Sequence, residues 1–203
     1  MSAAEHASNR SADARVTRPP ERHPSLDERF DPAVRIVPHD PAWAAQAERE
    51  LRLIRSALGP LAARLEHVCS TAVPALAAKP ILDLQLSVVE LEPRAPYLER
   101  LEQLGYLFVS DPDSADFHLF AKPAQRPRSH HLHVCELAGE HESRHLAVRE
   151  LLRSDPAEAM RYETLKRELV KRLPSDRLAY IAGKRQYVDE LEARALAEQS
   201  APG

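Results

Sequence analysis

Ile81 to Val89 places the strongest constraint on the fold. It is too continuously apolar for a strand with a wet face, so it must lie inside a sheet covered on both sides, and it carries a single carboxylate, Asp83. A few residues upstream a shorter apolar strand, Leu65 to Val68, runs into a small-residue turn, Cys69-Ser70-Thr71. A hydroxyl-rich turn can present backbone N–H groups and Oγ atoms to a phosphate, and a nearby strand carboxylate can hold a hard cation such as Mg2+ against it. The pair of elements points to phosphate or nucleotide chemistry.

The chain has 203 residues, enough for one full domain with its own core and too few for two. Its formal net charge of −3 gives no overall pull toward nucleic acid or an anionic membrane. No apolar run approaches the ~20 residues of a membrane span, and no early segment has the form of a secretory signal. Two cysteines, Cys69 and Cys135, make no disulfide framework and suit a reducing cytoplasm.

Residues 1–32 hold almost no large apolar side chains and are expected to be a disordered tail. Residues 33–197 form the domain, and 198–203 are expected to fray. Val34, Ile36 and Val37 read as an edge strand ending at Pro38. Asp40-Pro41 is a helix start, and Trp43, Ala47, Leu51, Ile54 and Leu58 line one face up to Gly59-Pro60. A helix over 96–104 and three strands, 106–109, 116–121 and 130–137, follow, the strands joined by turns at 111–114 and 122–127. From about Glu142 the period becomes helical, with interruptions at Ser154-Asp155-Pro156 and at Pro174 to Asp176. Strands interleaved with helices, then a helical C-terminal part, make the class α/β or α+β.

Across residues 34 to 190 the chain resembles the GrpB family, which has a nucleotidyltransferase-like fold of a mixed sheet flanked by helices. The resemblance rests on Val37-Pro-His-Asp-Pro-Ala-Trp43, Glu66-His67, Ser70-Thr71, Val73-Pro74, Leu76 to Pro80 and Asp83. It continues through His131-Leu-His133-Val, His145-Leu-Ala-Val-Arg149, the Tyr162–Lys166 region and Tyr180–Lys184. Proteins resembling this one also occur fused to dephospho-coenzyme A kinase, which implies a role near nucleotide metabolism. The chain departs from the family's pattern at two turns, with Cys69-Ser70 for Gly-Ser and Pro74-Ala75 for Pro-Gly. Glycine admits positive φ and close approach to a ligand, which cysteine and alanine resist.

Active nucleotidyltransferases of similar fold place Gly-Ser about a dozen residues before an Asp-x-Asp or Asp-x-Glu strand, because two cations need several carboxylates. The spacing from Ser70 to Asp83 fits, but Gln85 stands at the next same-face position and supplies no charge. His131 and His133, two apart on a strand, share a face and could complete a two-His, one-carboxylate site if their strand lies beside Asp83. Metal ligation, anion or carbonyl hydrogen bonding, and a solvated face all stay open for them. Glu66 is the spare carboxylate.

Lys79, held extended by Pro80, is a candidate phosphate contact. Arg149 lies on the apolar side of its helix and needs a partner, either Asp83, a ligand phosphate or a structural carboxylate. Lys166 and Lys184 sit on charge-rich helices and read as solvated, and Tyr180 reads as core. The expectation is a cleft of Ser70, Thr71, Lys79, Asp83, His131, His133 and Arg149 that binds a phosphorylated metabolite, foremost a nucleotide with Mg2+ on Asp83. Transfer of a nucleotidyl group to a small acceptor, a non-catalytic accessory module, and a His/Asp metal-dependent hydrolase are the three readings of such a site.

Overall fold

Alternation along one strand organises the molecule. The computed structural model describes residues 34–109, 116–123 and 127–200. In β2 (Leu82–Val88), Leu82, Leu84, Leu86 and Val88 point to one face and Asp83, Gln85 and Ser87 to the other. Both faces are covered, as the sequence requires, because the small polar set meets a second helical layer instead of water.

Around β2 stand β1 (Arg64–Val68), β3 (Leu107–Val109), β4 (Phe117–Lys122) and β5 (His130–Glu136), in the order β1-β2-β5-β4-β3. The β2–β5 pair is parallel and the others are antiparallel, so the sheet is mixed. A parallel neighbour needs a long crossover. Here it contains the helix α2 (Ala95–Gln103) and the β3–β4 pair, which places residues nearly fifty apart in the chain side by side.

α1 (Ala42–Leu58) and α2 cover the apolar face, where Ile54, Leu58 and Leu101 pack on Leu84, Leu86, Leu132 and Val134. Each fully buried Leu or Ile in this layer contributes about 1.5–3 kcal/mol of transfer free energy. The start of α1 follows the sequence reading: Asp40 Oδ1 accepts from Ala42 N at 2.9 Å, and Gly59 closes the helix at φ 57°. Val34 to Val37 form no edge strand. Only Val37 pairs, with Ala78, because Pro38 has no N–H to extend a ladder and the chain turns at once into α1.

The polar face is covered by α3 (Glu140–Ser154), α4 (Pro156–Arg172) and α5 (Arg177–Ser200), which share a second core with Val73 and Leu76. Asp155 separates α3 from α4, its carboxylate accepting from Ala157 N and Glu158 N as an N-cap. The expected frayed end lies partly within the last turn of α5, since residues 198–200 are helical. The tail 1–32 and the turn 111–114 lie outside the described residues, as do 124–126 of the second turn and 201–203. Among the described residues, no helix is long and apolar enough to cross a membrane.

Candidate functional site

The site is built by strand register. β5 lies beside β2, with Asp83 opposite His131 and Gln85 opposite His133. The conditional geometry read from the sequence is therefore met. Asp83 Oδ1 is 3.1 Å from His131 Nδ1 and 3.9 Å from His133 Nε2. Burial alone would raise the Asp83 pKa, but the hydrogen bonds of His131 and then His133 hold it well below the usual carboxylate range. Burial pushes His131 down to about 4 against the pull of Asp83, so at neutral pH an ionised carboxylate faces a neutral imidazole.

At the end of β1 the chain makes a short 3-10 turn, Ser70–Ala72. Cys69 enters it at φ 58°, ψ −161°, and Ala75 follows at φ 63°. These are the two positions where the family pattern has glycine, and both keep the glycine-type backbone despite their Cβ atoms. Such strain costs of order 1–2 kcal/mol per residue. Cys69→Gly is accordingly expected to stabilise the protein by about 0.5–1 kcal/mol after the loss of the half-buried thiol, read as a higher urea midpoint at unchanged slope. The thiol itself is no nucleophile: burial, with the Asp83 charge adding to it, pushes its pKa up, and both cysteines are free.

Cations from the helical layer meet this turn. Lys166 is only 3% exposed, and its Nζ donates to Ser70 Oγ at 3.1 Å and to Ala77 O at 2.5 Å. Burial, with the nearby Lys184 adding to it, lowers its pKa to about 7. Thr71 Oγ1 lies 2.9 Å from His67 Nε2, and burial keeps that imidazole near 4. Ser70, Thr71, Lys79, Asp83, His131 and His133 all line one cavity of about 310 Å3. Lys166, Tyr180, Lys184 and Arg177 complete its helical wall. Its cations outnumber its carboxylates, Asp83 and Glu192.

Two of the expected site residues are elsewhere. Arg149 does not line the cavity. It donates to Glu66 Oε2 at 2.8 Å and His67 O at 2.8 Å, and to Glu150 at 2.7 Å, which ties α3 to the end of β1. Glu66 is consumed in that pair and is no spare metal ligand for Asp83. Gln85 is fully buried and its Oε1 lies 3.0 Å from His145 Nδ1, so the second carboxylate position is an amide facing a third imidazole.

Lys166 was legible as more than solvated charge. Lys166 falls four residues after Tyr162 and three before Leu169, on the buried stripe of α4. His141 carried a similar signal, four residues before His145 on α3.

Comparison with known proteins decides the lineage. A family model described as GrpB protein matches residues 33–194. The chain belongs to the GrpB family. A UPF0157 protein of Halalkalibacterium halodurans is 35% identical over 136 residues, 66% of this chain and 68% of that one. Another, from Pseudomonas aeruginosa, is 38% identical over 139 residues, 67% of this chain and 57% of that protein. The crystal structure of conserved protein GrpB from Enterococcus faecalis superimposes with a TM-score of 0.75 at 31% identity, covering 82% of this chain and all of that one. A dephospho-CoA kinase of Mycolicibacterium paratuberculosis is 42% identical over 76 residues, 36% of this GrpB chain and 19% of the kinase.

Proposed function

We propose that the cavity binds a phosphorylated small molecule, foremost a nucleotide, with Mg2+ on Asp83. The observation that carries this is the convergence of Lys166 and Lys184 from the helices on the Ser70–Thr71 turn and on Asp83 from the sheet. Cations and hydroxyls suit phosphate oxygens, while one ionised carboxylate suits a cation bridging them. Lys79, at the entrance to β2, adds positive charge on the same side. Partial similarity to dephospho-CoA kinases agrees with a ligand of the nucleotide class. Two unpaired cysteines suit a protein working in the cytoplasm.

Transfer of a nucleotidyl group is the reaction this scaffold would host if a second cation could be held. Gln85 and the engagement of Glu66 by Arg149 favour instead a binding or accessory module without transfer. A screen of nucleoside triphosphates and coenzyme A precursors by thermal unfolding, with and without Mg2+, tests the common part. A ligand at a hundred times its dissociation constant adds about 2.7 kcal/mol of stability. Asp83→Asn is expected to remove the Mg2+-dependent portion of that gain. No stabilisation by any phosphorylated ligand would sink the reading, and pyrophosphate release that Asp83→Asn abolishes would promote transfer over passive binding.

A further inference from the structure

Next to Asp83, three imidazoles from two elements face one another. His133 comes from β5, and His141 and His145 come from successive turns of α3. One ring nitrogen of each lies within 4.8 Å of the corresponding atoms of the other two. The rings are close: 4.1 Å between the centroids of His141 and His145, 4.8 Å between His133 and His145, and 5.4 Å between His133 and His141.

The arrangement of their nitrogens is what distinguishes this cluster from ordinary aromatic packing. Each imidazole has one nitrogen directed at an oxygen acceptor. His145 Nδ1 lies 3.0 Å from Gln85 Oε1, His133 Nε2 lies 3.9 Å from Asp83 Oδ1, and His141 Nδ1 lies 4.0 Å from Asp116 Oδ2. A carboxylate or amide oxygen accepts only, so the 3.0 Å contact puts the N–H of His145 on Nδ1, and the two longer contacts favour the same choice of an outer N–H on His133 and His141. A neutral imidazole then has its lone pair on the other nitrogen. His133 Nδ1 and His141 Nε2 are buried and make no hydrogen bond. Two buried imidazole nitrogens without a hydrogen-bond partner, close to a third imidazole, are an unfavourable arrangement for a protein interior unless something electron-poor sits between them.

We infer that His133, His141 and His145 bind a divalent transition-metal cation of the imidazole-preferring kind, with Zn2+ the foremost candidate. The chemistry of the set fits on two counts. Three imidazoles and one open position are a recurring arrangement for Zn2+. An oxygen partner on the outer nitrogen of each ligating histidine is the usual device for fixing its tautomer and ring orientation. Phe117 stacks on His141 at 4.0 Å and holds one ring in place from behind. His133 and His145 also line the cavity whereas His141 does not, so the cluster borders the cavity. This metal site differs from the Asp83 position reserved above for Mg2+, and it stands whether or not a phosphorylated ligand binds.

Titration of untagged full-length protein, stripped of metal by a chelator, with Co2+ and Zn2+ tests it. The expected result is one equivalent of Co2+ bound with the intense visible bands of a four-coordinate ion, displaced by Zn2+. His141→Gln and His145→Gln, each checked for a native circular dichroism spectrum, should lose these bands. Gln85→Ala, which removes an outer partner, should weaken binding about 10–100-fold. His130→Gln, on the same strand but outside the cluster, should bind like the parent. Absence of stoichiometric binding overturns the inference, as does unchanged Co2+ binding in either folded histidine variant.

Discussion

Lys166→Met is expected to yield a protein that is more stable when empty and largely unable to bind phosphate. The ammonium of Lys166 is buried against Ser70, Ala77 and the Tyr162 ring, whose centroid is 4.6 Å away. A folded-state pKa of about 7, against an ordinary value of 10.5, means that the unfolded chain holds the proton more tightly. By linkage the charged form therefore costs stability at neutral pH, at about 1.4 kcal/mol per pH unit of depression. Methionine removes that cost but leaves the Ser70 hydroxyl and the Ala77 carbonyl without their donor, which takes back roughly 1 kcal/mol each. The net expectation is a gain of order 1–3 kcal/mol at pH 7 in chemical unfolding.

The sign has a pH signature. Wild-type stability should rise as pH goes from about 7 toward 10.5, and that rise should be missing in Lys166→Met. Affinity moves the other way. Loss of a charge-assisted hydrogen bond to a phosphate oxygen should weaken pyrophosphate binding about 10–100-fold by calorimetric titration. In the wild type, binding should weaken above pH 7 as the free amine loses its proton. A variant that binds pyrophosphate like the parent would remove Lys166 from the site.

Glu142→Ala is expected to be among the most damaging single substitutions, at about 2–5 kcal/mol. The Glu142 carboxylate is 1% exposed in the first turn of α3. It accepts a short hydrogen bond from Ser87 Oγ on β2, another from Ala138 N at 2.6 Å, and an ion pair from Arg64 at 3.1 Å. Truncation strands the buried Ser87 hydroxyl and removes the acceptor of the part-buried Ala138 N–H, whereas half-exposed Arg64 can turn to water. Glu142→Gln keeps the shape and one acceptor and should lose about half as much. Urea denaturation of the three proteins checks the order, and equal midpoints would show that α3 is held to the sheet by packing alone. Because α3 also carries His141, His145 and Arg149, loosening it should disturb the polar face before the apolar one.

Most elements were legible because their period and their punctuation agree. Asp40-Pro41, Gly59, Gly105 and Asp155-Pro156 mark ends that the hydrophobic spacing also marks. The Asp83–His131–His133 grouping was legible only conditionally, since alternation gives the face of a strand but not its neighbour. That neighbour is set by a crossover through α2, β3 and β4, which no local pattern encodes. Arg149 was misplaced for a related reason. Its position on the inner side of α3 required a partner, yet Glu66 and a ligand satisfy that need equally well in one dimension. Val34 to Val37 had strand-like residues, but among the described residues their pairing is limited to the one bridge between Val37 and Ala78.

The carboxylate and imidazoles of the site ride on β2 and β5, each hydrogen-bonded on both of its edges. Their spacing is thus dictated by backbone register and can hardly drift without dismantling the sheet. Lys166, Tyr180 and Lys184, by contrast, come from helices whose surfaces can be rewritten one side chain at a time. Selection for a new guest would accordingly act on that helical rim, while the arrangement of Asp83, His131 and His133 on the floor stays an inherited constant.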